Sequence, residues 1–74
     1  MTKADYTLLD IDTNNVVGVH ATEDEALAVV RDTIARYGEQ SVAVQDLGLH
    51  GPEGFIASGA ELARRALMHA RKTA

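Results

Sequence analysis

The chain has 74 residues, 46% of them hydrophobic and 24% charged, with no cysteine and a net charge of −4. That length allows one small domain with a thin core, and the composition excludes a disordered chain. The missing cysteine excludes a disulfide framework and a thiolate metal site, while the acidic balance sets the surface as a whole against nucleic acid and anionic membrane.

Only Tyr6, Tyr37 and Phe55 are aromatic, so the core rests on aliphatic side chains and alanine. The opening MTKADY has no apolar h-region, and no apolar run reaches the length of a membrane span. The cytoplasm is the expected compartment.

Residues 6–12 and 16–21 read as two strands joined by Thr13, Asn14 and Asn15. A two-residue turn at Asn14-Asn15 pairs Asp12 with Val17 and Asp10 with Val19, which mixes acids and valines on each face. A three-residue loop with Asn15 left-handed pairs Ile11 with Val17 and Leu9 with Val19. This second register is the expected one, because it gathers Leu9, Ile11, Val17, Val19 and Ala21 on one face. Gly18 then lies on the other.

Residues 22–38 carry the clearest signal, an amphipathic helix marked at both ends. Thr22 and Glu25 stand in capping-box relation, and Glu23 and Asp24 place negative charge where the helix dipole favours it. Ala26, Leu27, Val29, Val30, Thr33, Ile34 and Tyr37 share one face. Gly38 stops the helix. Residues 41–47 then read as a third strand, 48–54 as a turn-rich connection broken by Pro52 and three glycines, and 55–57 as a short fourth strand.

Ser58 opens a second helix that runs nearly to the C-terminus, and with Glu61 it repeats the capping box. The apolar arc holds Ala60, Leu62, Ala63, Ala66, Leu67, Ala70 and Ala74. Arg64, Arg65, Met68, Arg71 and Lys72 fall within about 120° on the other side, at about 100° per residue.

Laid on itself at an offset of 36 residues, the chain places Asp10 on Asp46, Gly18 on Gly54, Thr22 on Ser58 and Glu25 on Glu61. The predicted fold is a single α+β domain, residues 1–74, of order ββαββα. Its two ββα units span 1–38 and 39–74, and two helices cover one face of a four-stranded, mostly antiparallel sheet.

If Leu9, Ile11, Val17, Val19, Leu47 and Phe55 face the helices, alternation turns Tyr6, Leu8, Val16, His20, Val42, Val44 and Ile56 the other way. A sheet face that meets only water is normally polar. These seven residues are therefore the expected interface of a homodimer that stacks sheet on sheet. A competing arrangement, with helices on opposite faces or one strand bulged, buries both faces within one chain.

The candidates for chemistry are few. His20, His50 and His69 share no metal-ligand spacing with one another. Asp10 and Asp46 correspond in the repeat and can approach across a pseudo-twofold axis, where paired carboxylates do acid–base work; more often such acids are solvated turn residues. Gly48, Gly51 and Gly54 lack the lysine and spacing of a phosphate loop, and Glu53 among them repels anions. No Gly-x-Ser-x-Gly is present. No catalytic, metal or cofactor residue is assigned, and the expected work is association rather than catalysis.

Two alternatives come from other classes. One is an accessory nucleic-acid binder using Arg64, Arg65, Arg71 and Lys72 on phosphates; Glu61 and the absence of an exposed aromatic beside them weigh against it. The other is a small-ligand sensor with a pocket at the dimer seam near His20.

YTLLDIDTNNVVGVHATEDEALAVVRD, followed by a glycine-bounded third strand and IASGAELARRA, resembles small uncharacterised bacterial proteins with a ββα repeat. Those show a D-x-x-T-G-N-x-x-G hairpin and a T-x-x-E-A helix start. Asn14 stands here where the turn glycine is usual. The resemblance implies a bacterial source and carries no activity or site residue.

Overall fold

Glu25 N donates to Thr22 Oγ1 at 3.2 Å, and the Glu25 carboxylate reaches back to Ala21 N at 3.3 Å. Gly38, at φ 97, closes the other end, where its N–H donates to the Ile34 carbonyl. Between these caps lies a helix of 15 residues. The computed structural model describes the backbone of residues 5–73 and the side chains of residues 5–68.

The elements in order are β1 (Tyr6–Asp10), β2 (Asn15–His20), α1 (Glu23–Tyr37), α2 (Val42–Gln45), β3 (Leu47–Gly51), β4 (Gly54–Ser58) and α3 (Gly59–Thr73). The strands form one antiparallel sheet in the order β2-β1-β3-β4. Both long helices pack on the same face, and the molecule is 16 Å deep in its thinnest direction. It is an α+β domain with one sheet and one helix layer.

The core is a row across three strands. Leu8 of β1 pairs with Leu49 of β3, and Leu49 with Ala57 of β4. All three are fully buried beneath Ala26, Leu27 and Val30 of α1 and Leu62 and Ala66 of α3. Each large side chain hidden in this way stabilises the fold by about 1.5–3 kcal/mol. Among the described residues two polar links join the helices: Arg65 Nε meets Glu23 Oε2 at 2.6 Å, and Arg31 Nη1 donates to the Ala66 carbonyl at 3.3 Å.

The first hairpin departs from the expected register. Its loop has four residues, and Asn14 (φ 62), not Asn15, is left-handed. Asp10 makes the difference: its Oδ1 accepts from Asp12 N and Thr13 N, and its carbonyl accepts from Asn14 N. Leu9 consequently pairs with Val16 and Leu8 with Gly18, leaving Val17 as an extra, bulged residue.

β1 is thereby turned over relative to the sequence reading. Leu8 and Tyr6 face the helices, and Leu9 faces away. Gly18 lies under the helices, with the His20 ring folded over it: a Cβ at Gly18 would stand 3.1 Å from His20 Nε2.

The second unit also differs from its prediction. Residues 42–45 form a helical turn rather than a strand, because Ser41 Oγ caps Val44 N and itself donates to the Gly38 carbonyl. The third strand begins only at Leu47 and runs through the glycines read as a loop. A Cβ at Gly48 would stand 2.7 Å from Ile11 Cγ2, so a side chain there would displace Ile11.

The 36-residue offset holds for the helices, carrying Glu23 onto Gly59 and Tyr37 onto Thr73. It fails for the strands. It carries β1 onto α2, because the β3–β4 hairpin turns in two residues, Pro52 and Glu53.

Entry into α3 is made by Gly59 at φ 57, with the Gln45 carbonyl oxygen 3.2 Å from where a Cβ would sit. Gly59→Ala is expected to destabilise the protein by about 1–2 kcal/mol through this backbone strain, read as a lowered urea midpoint. Leu8→Ala is expected to cost about 2–5 kcal/mol and Leu9→Ala less than half as much. The opposite order in urea unfolding would place Leu9, not Leu8, in the core.

Candidate functional site: the open face of the sheet

With Leu8, Leu49 and Ala57 turned inward, alternation turns Thr7, Leu9, Val16, Val19, Gly48, His50, Phe55 and Ser58 outward. Ile11, just past β1, lies over Gly48 on the same side. Among the described residues no helix covers this face.

Ile11 is 45% exposed, Val16 63%, Val19 58% and Phe55 60%, and the bulged Val17 is 53% exposed beside them. Together these five leave an apolar patch exposed on one side of the sheet. With the half-buried Thr7, Leu9 and His50 this face spans all four strands.

No Asp, Glu, Lys or Arg projects from the strand positions of this face. Asp5, Asp12 and Glu53 stand only at its ends. Near one end the His50 and Phe55 rings, paired in register, meet edge to face with centroids 5.5 Å apart and planes at 74°.

The residues expected to form the interface are mostly elsewhere. Leu8 and Val44 are fully buried. Tyr6 and Ile56 pack against the core from the helix side, and His20, paired with Tyr6, is on that side as well. Val42 is 74% exposed but belongs to α2, not to the sheet. Val16 alone is on the open face. The exchange has three causes: the parity of β1 with the bulge in β2, the helical turn at 42–45, and the register shift between β3 and β4.

Conversely Leu9, Ile11, Val19 and Phe55, read as core, are the open-face residues, and Val17 is exposed at the bulge; Leu47 is inside as expected. His50 was read only as a turn residue, because the glycines around it hid the strand that carries it.

The remaining candidates resolve as follows. Asp10 and Asp46 do approach each other: one oxygen from each, with one from Asp12, lie within 4.8 Å of one another. Asp10 and Asp12 belong to the first hairpin turn, where Asp10 Oδ1 already accepts two backbone N–H groups, and Asp46 is the C-cap of α2. On the basic helix face Arg64 is exposed and Arg65 is joined to Glu23; the side chains of Arg71 and Lys72, like those of His69 and Ala70, lie outside the described residues, as does Ala74 altogether.

A cavity of about 310 Å³ opens on the helix side, lined by Tyr6, Glu23, Gly51, Pro52, Glu53, Gly54 and Ile56. His20 is not part of its lining. No described helix is long and apolar enough to cross a membrane. No protein-family model, curated protein or solved structure matches the chain.

Asp10→Ala is expected to destabilise the first hairpin by about 1 kcal/mol, because two backbone donors lose their acceptor. Asp10→Asn keeps that acceptor and is expected to lie within about 0.5 kcal/mol of wild type. Equal losses in thermal unfolding would show that the carboxylate charge, not the turn geometry, is what matters.

Proposed function

We propose that this protein works by association and that its open sheet face packs against the same face of a second copy. The observation that carries this reading is the uncharged apolar surface of Leu9, Ile11, Val16, Val19 and Phe55 on a chain of net charge −4. A partner of opposite charge has nothing on this face to recognise. A second copy meets a surface that is flat, apolar and free of like-charge repulsion at its centre, and twofold stacking makes such a patch complementary to itself.

The edges of the sheet favour face-to-face over edge-to-edge pairing. β2 is an edge strand, and the bulge at Val17 interrupts its ladder positions. Stacking uses the faces and leaves that edge alone.

Light scattering at micromolar concentration is expected to give twice the chain mass for the wild type. Val19→Glu and Phe55→Glu, which place a charge at the seam, are expected to give the single-chain mass while far-UV circular dichroism stays unchanged. Val42→Glu, at a more exposed valine off the sheet, is expected to remain paired. A wild type at single-chain mass under these conditions would overturn the reading.

A further inference from the structure

His50 is the one titratable side chain among the strand positions of the open face. It pairs with Thr7 on β1 and with Phe55 on β4, and its ring stands edge-on to Phe55. Its neighbours on its own side of the sheet are Leu9, Gly48 and Ser58, all uncharged. The carboxylates nearest in register are Asp5, two residues before Thr7, and Glu53 in the adjoining turn; both are exposed at the rim, and His50 makes no ion pair with a described residue. In a stacked pair the facing groups come from the same uncharged set, the second copy's His50 included.

We infer that the paired state accepts His50 only as the neutral ring, so that acidification through the imidazole range separates the two copies. The inference rests on the face-to-face pairing proposed above and adds its control. A neutral imidazole has one N–H and one ring nitrogen to desolvate, a smaller penalty than that of a charge. Its protonated form, taken out of water with no acid within the seam, carries a desolvation penalty that the single chain avoids.

The sign follows from proton counting. The separated chains bind more protons than the pair, so acidification favours separation and higher pH favours the pair. Two such rings lie in each pair, so the effect is doubled.

The dissociation constant, measured by sedimentation velocity in a dilution series, is expected to rise at least about tenfold between pH 7.5 and pH 5.5. His50→Gln and His50→Phe remove the proton site, and each is expected to change less than about twofold over the same range. His20→Gln and His69→Gln are expected to keep the wild-type dependence. Circular dichroism at both pH values reports whether each variant is folded, and either His50 variant alone suffices.

A wild-type pair whose affinity is flat with pH overturns the inference and leaves the pairing standing, as does a His50 variant that responds like wild type. A wild type that is single at pH 7.5 overturns the pairing itself.

Discussion

Leu8 of β1 touches the whole construction. It sits between Gly18 and Leu49 in the sheet, with Ala57 one strand further on, and the two long helices close over that row. A strand has only two faces, so the choice that sends Leu8 inward sends Leu9 outward with no intermediate solution. Gly18 completes the choice. A side chain there would compete with the His20 ring for the space beside α1, whereas the same position left empty lets the edge strand tuck under the helix.

The helix layer is close to the sheet and small. Alanines 26, 63 and 66 are fully buried, and they let the backbones approach without filling much volume. Such a core is economical in residues but hides little apolar area. With a single layer of helices, the other side of the sheet can be dry only if something outside the chain covers it. The same shortage of mass explains why single positions matter: Gly48 admits Ile11, and Gly59 turns the chain from β4 into α3 beside the Gln45 carbonyl.

The two long helices were legible because their signals are local. Thr22, Glu25 and Gly38 act within one turn of themselves, and no tertiary contact competes with them. The four strands were legible in number, but not the face of β1, since Leu8 and Leu9 are the same residue and flanking positions on both sides are apolar. The decision was made by Asp10, whose side chain gathers the loop N–H groups and lengthens the loop by one residue.

Val42 and Val44 read as a strand by alternation, yet Ser41 supplies a cap and Val44 gains full burial as a helical turn. β3 was obscured in the opposite sense: glycine normally argues against a strand, and at Gly48 it is there because a neighbour needs the room. An excess of apolar side chains for one helix layer was visible in the sequence. Which of them are left outside depended on the turn that sets β1, on the helical turn at 42–45 and on the register shift between β3 and β4.

The bulge at Val17 has a further consequence for how the chain behaves at high concentration. β2 offers three valines on a free edge, a composition suited to fibrous cross-β growth. An added strand needs evenly spaced donors and acceptors to extend, and the surplus residue breaks that spacing in the middle of the strand. The irregularity therefore works against strand addition at the β2 edge.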